Sequence, residues 1–516
     1  MPSRRAGLMV CALSLFTCVS LAGAAQPRAR TEQGVIEGVE ADDITAFRGV
    51  PFAAPPLGDL RWRAPQPAAA WRGVRKADNF SPICMQKGSY PEDAPPERSS
   101  EDCLYLNVWA PGKARKLPVM VWIYGGALRN GSASTPLYAG DRLARHDVIV
   151  VTFNYRLGVF GFLAHPDLTR ESPARASGNY GLQDQIAALG WVKRNIAAFG
   201  GDPARVTVFG QSSGAMSISA LVASPLAKGL FQRAIAQSGG LFEPMQLLPE
   251  LALSGAEEAG VKFAASAGAT DVAALRAKPA EALLELPFST NLIVDGHVLT
   301  RPPYETFVKG EQNDVAVLVG ANHDEGEAFI RGRTITAANF RSELEHGLPA
   351  FLIDLVGVPR QVASDREAHA FVAAFNRDIR FTWDMWTWAR LASRKNPRVF
   401  AYEFTRAPPA GAPLAGLGAT HGAEMPYVFD HLDLQALPWS EADRKLADAM
   451  ATYWTNFAKT GDPNSAGVPA WPAFTEASPQ GMLLGEEVRS GKPFDEQALA
   501  RIDTAYATVR ASAARK

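Results

Sequence analysis

From Leu182 to Leu221 the chain reads helix, strand, sharp turn and helix in immediate succession, and this run constrains the fold most. Leu182, Ile186, Leu189, Val192, Ile196 and Phe199 return at three- and four-residue spacing, the apolar stripe of a helix packed on one side. Gly200 and Gly201 stop it, and Asp202-Pro203 predicts a turn. The run Arg205–Phe209 then reads as a buried strand, followed by Gly210-Gln211-Ser212-Ser213-Gly214 and a helix-like segment from Ala215 to Leu221. Similar strand-like runs occupy Leu117–Tyr124, Val148–Asn154, Val315–Gly320 and Arg398–Phe404. Alternation of this kind predicts an α/β fold, a mostly parallel central sheet flanked by helices, with functional residues gathered at the carboxyl ends of the strands.

The 516 residues, 47% of them hydrophobic, can bury one large core, and neither an internal repeat nor a low-complexity linker divides them. Helical stretches at about 247–286 and 336–396 read as insertions that build a cap over one end of the sheet. Trp383, Trp386 and Trp388, in the second, are spaced for packing on a helix rather than for a substrate wall.

Residues 1–25 read as a signal peptide: Arg4 and Arg5, an apolar run from Ala6 to Leu21, then small residues from Ala22 to Ala25. The run is shorter than the ~20 residues of a spanning helix, so export to the periplasm or medium is expected, with no membrane span in the mature protein. Mature protein, residues 26–516, keeps only Cys84 and Cys103, which in an oxidising compartment suggest one disulfide. Cys and His show no metal-ligand spacing, so no metal is expected. The formal charge of −1 falls to −3 once Arg4 and Arg5 are lost, with both signs interspersed, which argues against a nucleic-acid partner. Arg510 to Lys516 reads as a frayed terminus.

A G-x-S-x-G turn between strand and helix holds its serine in a strained, exposed position, and the flanking glycines let neighbouring backbone pass. Ser212 is therefore the candidate nucleophile. Acyl transfer also needs donors for an oxyanion, and the strand ending at Tyr124 runs into Gly125-Gly126-Ala127. The N–H groups of Gly126, Ala127 and Ser213 are the candidates. In this fold the order is serine, acid, histidine. Downstream histidines are His346 and His369, in charge-rich helical segments, His421 in the loop Gly418–Gly422, and His431. The loop position beside glycine favours His421. For the acid, Asp324 and Glu325 both follow the strand ending at Gly320, and chemistry alone does not separate them; His323 reads as a loop hydrogen-bonder.

With these residues in view, the chain resembles the type-B carboxylesterase/lipase family, which also holds the cholinesterases. The resemblance runs nearly end to end, through Phe47–Phe52 (FRGVPF), Ser100–Asn107 (SEDCLYLN), Asn154–Gly158 (NYRLG), Gly178–Gln185 (GNYGLQDQ), Phe199–Pro203 (FGGDP) and Trp454–Ala458 (WTNFA) leading to Gly461–Asn464 (GDPN). It implies an α/β-hydrolase fold in one catalytic domain, residues 26–516, with Glu325 as the acid, His421 as the base and a Cys84–Cys103 loop near the cleft. It further implies hydrolysis of small carboxylic esters through an acyl-enzyme, without cofactor.

Three departures bear on specificity. Gln211 stands where the family commonly has glutamate, and Ser213 where it has alanine. Ala127 and Leu128 replace a glycine and an aromatic. The Cys84–Cys103 loop has no tryptophan to face a quaternary ammonium, which argues against choline esters. The alternatives are a lipase for long acyl chains and a binding relative without catalysis.

Overall fold

Strands buried on both faces need no polar alternation, and the inner strands here have none. In Leu117–Ile123 every residue from Pro118 on is buried, as is all of Ile149–Phe153. The computed structural model describes residues 26–88, 98–346, 348–412 and 415–513; the expected signal peptide lies outside them. The central sheet has 11 strands. In chain order they are β1 (Val39–Ala41), β2 (Ile44–Pro51), β3 (Tyr105–Pro111), β4 (Leu117–Ile123), β5 (Ile149–Phe153), β6 (Gly201–Gln211), β7 (Arg233–Gln237), β8 (Ala316–Asn322), β9 (Val399–Phe404), β10 (Gly481–Leu484) and β11 (Val488–Gly491). Their order across the sheet is β11-β10-β9-β8-β7-β6-β4-β5-β3-β2-β1. Pairing is parallel from β5 through β10 and antiparallel at both margins.

The chain passes from β4 to β5 on one side, then crosses back to lay β6 on the other side of β4. Such a reversal opens a crevice beyond the carboxyl ends of the two strands, where ligands bind in open α/β sheets. Ser212 follows β6, and the Gly125–Ala127 segment follows β4.

The helix preceding β6, α1 (Tyr180–Asn195), continues as a 3-10 turn to Phe199 and ends on left-handed Gly200. Its apolar stripe is buried except Ile186, which is partly exposed. The stripe hides a polar exception: Asp184 is fully buried and accepts two hydrogen bonds from the Arg156 guanidinium at 2.7 and 2.8 Å and one from its backbone N–H. Burial pushes the Asp184 carboxyl up while the Arg156 charge pulls against it. The turn expected at Asp202-Pro203 is a bulge inside β6 instead. Asp202 Oδ1 accepts the Ala204 N–H, and pairing with β4 shifts register between Gly201 and Val206.

Both stretches expected to form insertions are helical. The first carries helices Leu253–Ser266, Val272–Arg276 and Ala280–Leu284. The second carries α3 (Asp365–Arg377), a wide π-helical turn Asp378–Thr382 and α4 (Trp383–Ser393). Trp383, Trp386 and Trp388 are buried in the core. The C-terminal tail is no frayed end as far as it is described. The helix Glu496–Ala513 includes Arg510, whose Nη2 donates to the Phe242 carbonyl at 2.7 Å over the Tyr304 ring. Among the described residues, no helix is long and apolar enough to cross a membrane.

Candidate active site

At the end of β6, Ser212 adopts φ 56° and ψ −127°, a conformation costly for a residue with a Cβ. What holds it is close packing: a Cβ on Gly214 would meet the Ile123 carbonyl oxygen at 2.0 Å, so only glycine lets the helix α2 (Ser213–Ala223) start against β4. The turn lifts the Ser212 hydroxyl toward the His421 loop. Ser212 Oγ lies 2.9 Å from His421 Nε2, and His421 Nδ1 lies 2.5 Å from Glu325 Oε2. With Nδ1 protonated toward the carboxylate, Nε2 is free to accept the serine proton. Gln211 Nε2 approaches the same Nε2 at 3.3 Å, so the residue beside Ser212 touches the histidine through a neutral amide.

Glu325 is fully buried, and its Oε1 accepts the Asn322 backbone N–H at 2.8 Å. Asp324 faces elsewhere. Its Oδ2 accepts the Ala419 N–H at 2.8 Å and its own N–H donates to the Ala419 carbonyl, clamping the histidine loop to the acid turn. His346 donates to its own helix, at the Ser342 carbonyl, and His431 hydrogen-bonds the Leu137 carbonyl. His369 stands 3.6 Å from Glu327, and His323 pairs with Glu403 at 2.7 Å.

A buried polar network behind these residues escaped sequence reasoning. Glu424 accepts hydrogen bonds from Asn322 Nδ2 at 2.6 Å and Gln237 Nε2 at 3.0 Å. Asn322 Nδ2 also donates to the Thr420 carbonyl, and Gln237 Oε1 accepts from Trp454 Nε1. Burial, then the Glu325 charge, push the Glu424 carboxyl up. Burial by itself would lower His421, yet the charge and hydrogen bond of Glu325, with Glu424 beyond, outweigh it and leave the imidazole raised. Glutamate three residues after the histidine was the available signal, but an isolated acidic residue in a loop reads as solvated.

Facing Ser212 is the loop after β4. Gly126 has φ 111°, and a Cβ there would meet the Asn130 carbonyl oxygen at 2.0 Å; Ala127 and Leu128 also sit at positive φ, 55° and 59°. The N–H groups of Gly126 and Ala127 find no acceptor among the described residues. Leu128 is fixed twice, its N–H donating to Ser213 Oγ at 3.1 Å and its carbonyl accepting the Gly158 N–H at 2.8 Å. The serine that departs from the family pattern thus anchors this loop through its side chain. Further on, Gly131 exchanges two hydrogen bonds with the Gln86 side chain, at 2.8 and 2.9 Å. Gln86 lies just past Cys84, which forms a disulfide with Cys103.

One aromatic face comes from the helical stretch before β9. The π-helical turn carries Phe381, whose ring stacks on the His421 imidazole with centroids 4.5 Å apart. Phe329 contacts both, at 5.5 Å from Phe381 and 6.0 Å from His421. No cluster of His, Cys, Asp or Glu able to hold a metal ion occurs among the described residues.

The family model described as "Carboxylesterase family" matches residues 25–501. A fumonisin B1 esterase of Sphingopyxis macrogoltabida is 39% identical, over 90% of this chain and 87% of its own. The para-nitrobenzyl esterase of Bacillus subtilis (strain 168) is 36% identical, over 89% and 94%. A solved structure of a PNB esterase superposes with a TM-score of 0.79 at 33% identity, covering 92% of this chain and 100% of that one.

Proposed function

Because this chain belongs to the carboxylesterase family and is a carboxylic ester hydrolase of the α/β-hydrolase fold, we propose that it cleaves its substrates with Ser212, His421 and Glu325 through an acyl-enzyme. The unbroken hydrogen-bonded line from Glu325 through His421 to Ser212 carries the reading. His421 takes the serine proton as Oγ attacks the ester carbonyl, and Glu325 orients the imidazole and stabilises its cation. The N–H groups of Gly126, Ala127 and Ser213 receive the oxyanion. His421 then protonates the departing alcohol and activates the water that releases the acid. The two helical insertions act as a cap, the second lending Phe381 to the histidine face. Residues 1–25 direct export, with which the Cys84–Cys103 disulfide is consistent.

Hydrolysis of p-nitrophenyl esters from acetate to palmitate tests this, alongside covalent labelling by an organophosphonate. Cleavage of short esters with stoichiometric labelling is expected; a preference for palmitate would move the enzyme to the lipases, and inertness in both assays would reject catalysis. Esters of fumonisin B1 and of para-nitrobenzyl alcohol belong in the panel because relatives bear those names.

Three further outcomes follow from the geometry. Activity requires neutral His421, whose value is raised, so kcat/KM should fall with decreasing pH through a point above the ordinary histidine value of about 6.5. Glu424→Gln removes one of the charges that raise it, so a pH–rate profile of that variant should show the acid limb displaced downward. Linkage runs the other way: a raised histidine contributes stability below its unfolded value and loses it as pH rises through the folded one, so His421 protonation silences the site without unfolding it. Ser213→Ala leaves the Leu128 N–H without its acceptor and should cost about 3- to 30-fold in kcat with KM nearly constant. A KM effect instead would place Ser213 in substrate binding.

A further inference from the structure

Arg380 lies in the same π-helical turn as Phe381. Its Cζ sits 4.9 Å from the centroid of Phe329, whose ring reaches the His421 imidazole at 6.0 Å. The guanidinium is therefore one aromatic ring away from the histidine, and both Phe329 and Arg380 are exposed. Nε donates to Asn376 Oδ1 at 3.1 Å, and Asn376 is itself held by the Val372 carbonyl. One edge of the planar group is pinned, while its two terminal nitrogens have no acceptor among the described residues. An arginine oriented this way presents the fork that matches a carboxylate.

The surrounding charges leave that fork unsatisfied. Although Arg380 is open to solvent, enough protein surrounds it that burial pulls its guanidinium below the ordinary arginine value, as expected of a cleft wall. Glu243, which acts on it electrostatically without an ion-pair contact, is held toward its neutral form by its own burial. Arg333, the neighbouring cation, is already paired with Glu343.

We propose that Arg380 is a specificity residue that binds a carboxylate carried by the ester substrate at a distance from the scissile bond, across the Phe329 ledge. This rests on Ser212 and His421 being the reacting pair, and it deepens that reading by naming a substrate class: esters bearing a second, ionised carboxyl group.

The test uses monomethyl esters of linear dicarboxylic acids from succinate to sebacate, each against the methyl ester with a terminal methyl in place of the carboxylate, followed by methanol release. At the length that spans the ledge, the wild type should prefer the charged ester through a lower KM. Arg380→Gln should reduce that preference by about 10- to 100-fold, mainly in KM. Raising salt from about 0.02 to 0.5 M should erode the wild-type preference without any substitution. A charged-to-uncharged ratio that is the same in both proteins at every length, and blind to salt, overturns the proposal. Ser212→Ala run in parallel separates the two failures. Cleavage that survives it strikes the site reading, as does a wild type inert to every ester, whereas Ser212-dependent cleavage indifferent to Arg380 strikes only this inference.

Discussion

Ser212→Ala should lower kcat for ester hydrolysis by about 10⁴- to 10⁶-fold, some 5 to 8 kcal/mol of transition-state stabilisation, with KM changed far less. In the proposed mechanism the loss is large because Oγ forms the bond to the ester carbonyl, and His421 has no second hydroxyl or thiol within hydrogen-bond reach among the described residues. The alanine protein should remain folded and bind a non-reactive ester analogue, while its organophosphonate labelling disappears. Backbone geometry adds a control. Alanine keeps the cost of φ 56°, whereas Ser212→Gly relieves it, so the glycine variant should be equally inactive yet more heat-stable than the alanine one by about 1 kcal/mol. Residual activity near wild type in either variant would remove Ser212 from the chemistry.

Glu325→Gln should cost about 10³- to 10⁴-fold in kcat, since the amide can no longer stabilise the imidazolium and can present an N–H to Nδ1, favouring the wrong tautomer. It also deletes the partner that most raises His421, leaving burial to lower it, so any residual activity should extend to lower pH. Asp324→Asn is the matched contrast. Asp324 holds the Ala419 N–H, which an amide oxygen can still accept without the charge, so this variant should lose about 1 kcal/mol of stability or less and little rate. Thermal unfolding alongside initial rates distinguishes the pair. If Asp324→Asn proved the more damaging to catalysis, the acid assignment would be reversed.

The difference between these neighbours shows how far sequence reaches. The strand–turn–helix around Ser212 was legible because an apolar run, flanking glycines and a helical segment leave few foldings open. The choice between Asp324 and Glu325 was not, because both follow the same strand and differ only in which way a turn aims them. Family resemblance favoured Glu325, and the packing gives Asp324 its own structural task. Glu424, Asn322 and Gln237 were invisible for a related reason: each is a single polar residue whose partners lie at least three residues and up to 217 away, and no periodicity marks a buried network. Asp184 was hidden within a helix read by its apolar stripe, since its match to Arg156 exists only after folding. Margin strands such as Gly481–Leu484 were missed because they are too short to carry a pattern.

The loop opposite Ser212 is fastened by Ser213 and Gly158 at Leu128, and by Gln86 at Gly131, all through main-chain groups of the loop. Ala127, whose N–H is one of the proposed oxyanion donors and which directly precedes the first fastening, has an exposed side chain. In the proposed mechanism precision and selectivity thus fall to different atoms, the backbone setting where the oxyanion would sit and the outward side chain helping to set what fits beside it. An enzyme divided in this way can drift among substrates by small steps at its surface while its reaction coordinate is inherited unchanged.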